Sequence, residues 1–222
     1  MQENRTETET WRDGNVMTYD LADKAIRDMN KRNLRSFDRL KTLKFDELNI
    51  FRTISEVYEA SARIARRRYL SIAYYAYIAA MVEAGITERD AKKAADESIV
   101  EDWIIEMMDE DNETTLYKFN TEKERKIARL TEALAVAHNK IAEIDKALRY
   151  WTLQVAQYAD ESVVVGTVHG FKDAGVKEVR WIAVNDRGVC KECWDRNGRI
   201  YPIDEVPGPA HFRCRCRLEP VR

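Results

Sequence analysis

The spacing of apolar residues constrains this chain more than any single motif does. Ile127, Leu130, Leu134, Ala137, Ile141, Ile144, Leu148 and Trp151 follow one another at alternating steps of three and four. Such a heptad rhythm puts all eight on one stripe of a helix, of the kind that packs in coiled coils. Thr121-x-x-Glu124 reads as a capping box opening that helix, and helical character continues to Gln157. One long helix over 121–157 is therefore expected, its stripe covered by another helix of the chain or by a second subunit. Glycine and proline interrupt helices. They number eight and four in 222 residues and are scarce before residue 160, so the bulk of the chain is predicted to be helical.

Upstream, Leu21, Ala25, Ile26, Met29, Leu34, Phe37, Leu40 and Leu43 predict a helix over 19–44. Ile50, Ile54, Val57, Ser61, Ile64, Arg68, Ile72, Tyr75 and Ala79 predict a second over 45–83, in which Tyr74, Tyr75 and Tyr77 beside Ala76, Ala79 and Ala80 suit close helix packing. Arg66, Arg67 and Arg68 read as a solvated or ion-paired face, or as a contact for DNA or an acidic partner. Gly85 ends the second helix, and Thr87, three residues before Asp90, caps a third that runs to about Met108. Asp109–Glu113 reads as a solvated acidic loop without the glycine of a calcium-binding loop. Residues 1–17 read as a flexible polar tail, with Trp11 as its anchor if it orders on a partner.

The last 33 residues have a different character. All four cysteines lie there, as Cys190-x2-Cys193 and Cys214-Arg215-Cys216, with His211 three residues before Cys214. Thiolates and imidazoles are the donors of tetrahedral zinc sites, and two short pairs about 20 residues apart suit a knuckle. Cys190, Cys193, His211, Cys214 and Cys216 make five candidates for four places. Cys214 and Cys216 share a face if Arg215 lies in a strand, and spacing does not choose between them. Asn197-Gly198 is a hairpin signal, and Pro207-Gly208-Pro209 stiffens the loop before His211. Two small hairpins meeting at one ion are expected, preceded by a strand over 178–184 that carries Trp181, Ile182 and Val184. Two disulfides, a redox Cys-x-x-Cys or buried unligated thiols are the other readings of the cysteines. The favoured one is a structural Zn2+, because four protein ligands leave no open position for catalysis.

Four runs carry a resemblance. They are Ala174-Gly175-Val176 with Val179-Arg180-Trp181, Asp186-Arg187-Gly188-Val189-Cys190-x2-Cys193, Asn197-Gly198-Arg199-Ile200-Tyr201, and Pro209-Ala210-His211-Phe212-Arg213-Cys214-Arg215-Cys216. Together they resemble the phage Mu F-like family of minor head proteins, also called phage head morphogenesis proteins. The likeness covers about the last 60 residues. It departs from the family pattern at Ala210 and Phe212, where prolines often stand. The resemblance implies a minor capsid protein acting in head morphogenesis, associated with the portal protein and other capsid components. Scaffold protein or phage DNA are further partners it allows. It also implies a virion location after assembly in the host cytoplasm.

Composition is consistent with these expectations. The charged fraction is 34% and the formal net charge is −2. From residue 177 onward 10 Lys and Arg stand against 7 Asp and Glu, an excess of 10 − 7 = 3, too small to argue a nucleic-acid surface. No apolar run is long enough to span a membrane and the start of the chain is polar, so neither a membrane partner nor a signal peptide is expected. The residues two after His138, His169 and His211 are Lys140, Phe171 and Arg213, so the deaminase His-x-Glu is absent, as is His-Glu-x-x-His. No enzyme is expected. A zinc-knuckle nucleic-acid binder is the alternative function, with Arg213, Arg215 and Arg217 as its basic edge. The expected fold class is mainly α: long helices in a bundle or coiled-coil-like arrangement, then a small C-terminal α+β zinc-knuckle domain. The expected parts are a tail (1–17), a helical domain (18–158) and a zinc-binding domain (159–222), with self-association through 121–157.

Overall fold

Four helices pack side by side because each turns an apolar stripe to one shared core. The computed structural model describes residues 14–42, 49–97, 103, 119–184, 189–211 and 214–221. The helices are α1 (Gly14–Thr42), α2 (Ile50–Glu83), α4 (Phe119–Val136) and α5 (Lys140–Asp173), with the short α3 (Glu88–Glu97) against the end of α2. Trp11, Leu43, Met108 and the acidic run 109–113 lie outside the described residues. The expected tail overlaps α1, which already begins at Gly14.

The core is aromatic. Phe37 of α1, Tyr58 of α2 and Trp151 of α5 make a chain of edge-on rings with centroids 5.3 and 4.9 Å apart. Phe119 of α4 adds to it, 5.0 Å from Tyr158. Each such ring, fully buried, contributes roughly 1.5–3 kcal/mol. A polar relay threads through them: the Trp151 Nε1–H donates to Ser61 Oγ at 2.7 Å, and the Ser61 hydroxyl donates to Asn33 Oδ1 at 2.5 Å. The relay corrects the reading of α1, in which Leu34 was expected to face inward. Leu34 is exposed and Asn33 is buried in its place.

The stripe of α2 is also rotated from expectation. Tyr58, Ala65, Tyr69 and Ala76 are buried, whereas Tyr75 is exposed and Arg68 reaches out to Asp28 at 3.6 Å. The buried set 50/54/58 recurs as 61/65/69 and 72/76/80. That 11-residue repeat, about 3.67 residues per turn, stays on one face of a nearly straight helix, whereas a 3.5 rhythm drifts off it.

The single long helix expected over 121–157 is two helices. The chain breaks at Ala137–Asn139, and the Asn139 side chain caps α5 by accepting from the Ala142 N–H at 3.1 Å. Val136 and Ile141 are exposed at the tip. The heptad rhythm survives the break because both arms of the hairpin turn their stripes to the same core. Thr121 lies inside the first turn of α4, which begins at Phe119, so the capping box does not cap. Thr87 does cap: its Oγ1 accepts from the Asp90 N–H at 3.2 Å. α5 continues through residue 158, so the expected boundary at 158/159 falls within an unbroken helix.

α2 and α5 run parallel and touch backbone to backbone. An added Cβ at Gly166 would stand 2.2 Å from the Ala73 carbonyl oxygen, and one at Gly170 would stand 2.4 Å from that of Tyr77. Both helices end in the same turn. Gly85 (φ 102°) and Gly175 (φ 82°) adopt the left-handed conformation, and the next residues, Ile86 and Val176, donate back to Met81 and Phe171. After Gly175 the chain enters a three-stranded antiparallel sheet of order β2-β1-β3. Here β1 is Glu178–Ile182, β2 is Ile200–Pro202 and β3 is Arg217–Pro220, with Val179 opposite Tyr201 and Trp181 opposite Leu218. The two prolines sit on the outer strands, where a missing N–H is tolerated. Asn197-Gly198 does form a turn, but it joins a short helix α6 (Lys191–Arg196) to β2, so the expected pair of hairpins is replaced by one central strand with long returns on each side.

Two predictions follow from this packing. Gly→Ala in a helix ordinarily gains about 1 kcal/mol. Gly166→Ala should instead lose about 1–3 kcal/mol in urea denaturation, because the new methyl meets backbone. Glu161, on α5, is buried with its Oε1 accepting from Gln157 at 2.9 Å and its Oε2 without a hydrogen-bond partner among the described residues. Burial raises its pKa from 4.5 to about 7. The folded state therefore holds a proton that the unfolded chain has released, so this group's contribution is full below pH 4.5 and is lost as the pH rises through about 7. Glu161→Gln should gain on the parent by on the order of 1–3 kcal/mol between pH 5 and pH 8, read from denaturation curves at both.

Candidate metal centre

The second core lies where the ends of α2 and α5 meet the sheet. Ala80 and Phe171 come from the helices, and Val179, Trp181, Ile203 and Leu218 from the sheet and its connections. Cys193, Cys214 and Cys216 are buried in the same cluster, with Cys190 and Ala210 at its edge.

Two tight turns deliver the donors. Cys190 is the residue before α6. Its Sγ accepts from the Cys193 N–H at 3.3 Å and its carbonyl accepts from Trp194 at 3.0 Å, which turns both thiols of the pair the same way. His211 and Cys214 belong to a second turn, closed by the Cys214 N–H donating to the His211 carbonyl at 3.2 Å. Cys214 and Cys216 are buried and Arg215 between them is exposed, so the pair shares a face, although the alternation precedes the first residue of β3.

The donors converge on Cys193. Cys190, Cys193 and His211 present ligand atoms within 4.8 Å of one another, and so do Cys193, Cys214 and Cys216. Cys193 Sγ stands 3.2 Å from His211 Nε2 and 3.7 Å from Cys214 Sγ. All five sequence candidates are thus brought together, and Cys193 alone belongs to both groups. The four cysteines are free thiols. This cluster of cysteines and a histidine could hold a metal ion.

Without a cation, two of the buried thiols hold their protons firmly. Burial pushes the Cys193 thiol up to about 12, and the Cys216 side chain together with burial pushes Cys214 up further. Cys216 is held below the ordinary thiol range, chiefly by its hydrogen bond with Cys214. Crowded thiols resist ionisation on each other's account, and a bound cation inverts that order by taking the thiolate form of each.

Sequence reasoning missed one support of the site. Arg196 donates from Nη1 to the Gly208 carbonyl at 2.8 Å, and its guanidinium lies 5.1 Å from the centre of the Trp181 ring. It fastens the Pro207-Gly208-Pro209 loop, and with it His211, to the central strand. A basic residue three after a Cys-x-x-Cys is too common to have marked this role. The other histidines lie apart. His138 is exposed at the α4–α5 tip, and His169 stacks on Trp103 with ring centres 3.8 Å apart, burial lowering its pKa. Of the expected basic edge, Arg217 pairs with Glu219, Arg215 is exposed, and Arg213 lies outside the described residues. Comparison with family models, with curated proteins and with solved structures gives no match for the chain.

Because Cys193 is common to both groups, Cys193→Ser breaks both and should abolish metal uptake, whereas Cys190→Ser leaves the Cys193, Cys214 and Cys216 group intact and should retain uptake more weakly. Protonated thiols must lose their protons on binding. Uptake by the parent should therefore release protons into a weakly buffered indicator solution, and affinity should fall roughly tenfold per proton released for each unit by which the pH is lowered. Titration of reduced protein with metal at pH 6 and pH 8 measures both.

Proposed function

We propose that the cluster holds one structural Zn2+ and that the chain is a minor head protein of the phage Mu F-like kind. The carrying observation is the convergence of the Cys190-x2-Cys193 and His211-x2-Cys214-x-Cys216 motifs on one thiol. Two thiolates on a tetrahedral zinc, each about 2.3 Å from the ion, stand about 3.8 Å apart; Cys193 and Cys214 stand 3.7 Å apart. Four protein ligands make the ion a clamp, and its role is to secure a sheet of short strands too small to hold itself together. The residues that carry the likeness are also residues of the clamp and its frame: Gly175 in the helix-ending turn, Trp181 on the central strand, Gly198 in the turn before β2, and the closing Cys-Arg-Cys. In this reading the helices form a bundle that engages the portal or other capsid components, and the chain travels in the virion.

The second reading is a zinc knuckle that touches nucleic acid, which the exposed Arg215 between two buried cysteines supports. Its basic edge is reduced by the Arg217–Glu219 pair.

Reduced, purified protein should carry about one zinc per chain and be retained by an assembled portal ring. Cys193→Ser should lose the zinc and expose residues 177–222 to protease while keeping most of its helical signal and its hold on the portal. Retention of zinc without portal association, together with a salt-dependent shift of DNA in a gel, is the outcome that favours the second reading.

A further inference from the structure

The arms of the α4–α5 hairpin flank an open cavity of about 400 Å3, within the range of small-molecule sites. It opens to solvent between the two arms, where Arg129, Lys146 and Tyr150 are exposed, and it is far in sequence from the cysteines and stands independently of the zinc reading. Leu130, Ala133 and Ala147 give it apolar walls. Tyr58 also lines it. That side chain is fully buried, and its hydroxyl has no hydrogen-bond partner among the described residues. The hydroxyl is closed off from solvent, so Tyr58 counts among the walls of the cavity and not among its donors.

The charges in the lining are unbalanced. Lys126, Arg129 and Lys146 stand there against Glu143 alone. Glu143 reaches Lys146 only at 3.9 Å. Glu122, outside the lining, is 3.9 Å from Lys126 and is engaged by Arg125 at 2.8 Å. Arg129 makes no ion pair among the described residues. Lys126 Nζ lies 5.8 Å from the centre of the Tyr150 ring, which also borders the cavity. Burial lowers the pKa of Lys126, an effect that Glu122 offsets in part and the neighbouring Arg129 reinforces.

We propose that this cavity binds an amphipathic organic carboxylate. Its hydrocarbon part lies along Leu130, Ala133 and Ala147. Its carboxylate takes up the donors of Lys126, Arg129 and Lys146. A neutral alcohol would satisfy the walls and leave the cations as they are; a small inorganic anion would do the reverse. Only a molecule with both parts answers the whole lining.

The full chain, titrated calorimetrically with decanoate, should show one saturable equivalent. 1-Decanol should bind at least about tenfold more weakly, and sulfate should give no saturable heat. Arg129→Ala combined with Lys146→Ala removes two exposed cations. It should weaken decanoate at least about tenfold and leave decanol unchanged, with helicity checked by circular dichroism. If that variant unfolds, Arg129→Gln alone carries the comparison. Equal binding of decanoate and decanol, uptake of many equivalents without saturation, or binding indifferent to the loss of the cations would each overturn the proposal.

Discussion

The structure turns on one close approach. Gly166 and Gly170 let α5 lie directly on the Ala73 and Tyr77 carbonyls of α2, where a single methyl group would collide with backbone. Everything C-terminal inherits its position from that contact. Ala80 lies beyond it on α2 and Phe171 beyond it on α5, and both belong to the core in which the cysteines are buried. The matched glycine turns at 85 and 175 end the two helices alike, and β1 starts three residues after the second turn. A small sheet with little apolar surface of its own thus gains a rigid floor made of helix ends.

Close packing fixes distance but not register, since small residues can slide past one another. Register comes from the polar relay. Trp151 has one N–H to give, Ser61 can both accept and donate, and Asn33 accepts at the end. A shift of one helix by a turn would leave at least one of these groups buried without a partner. Because such a group costs about 1–3 kcal/mol, misaligned packings of α1, α2 and α5 are disfavoured. The Tyr69 hydroxyl, donating to the Val155 carbonyl at 2.9 Å, sets the same alignment further along.

How much of this was legible in the sequence depends on how local the cause is. Thr87, Gly85 and the strand around Trp181 act through their immediate neighbours, and each was readable. The five candidate donors were readable too, because a thiol or imidazole in a short, paired motif is marked as a metal donor by its type and spacing alone. What bound them into one site, Cys193 as the shared thiol and Arg196 as the loop's fastener, arises from side chains meeting across 12 to 21 positions. The heptad rhythm of 127–151 was real but ambiguous: a continuous helix and a hairpin whose arms face one core leave the same pattern. Three polar residues, His138-Asn139-Lys140, mark the break, yet they fall outside the apolar stripe and so raise no signal in its periodicity. Asn33 was passed over for Leu34 because a buried amide makes sense only once Ser61 and Trp151 stand beside it.

The parallel pairing of α2 with α5 also bears on the order in which the molecule can form. Its hydrogen bonds join residues 86, 90 and 96 apart: Tyr69 to Val155, Ser61 to Trp151, and Tyr77 to Asp173. α1 and α2, by contrast, are neighbours joined by a short connection. During synthesis the α1–α2 pair can close early, while the face of α2 that awaits α5 stays open until nearly a hundred further residues have emerged. Contacts that distant slow folding. The terminal sheet must form last of all, because its floor does not exist until α5 has docked.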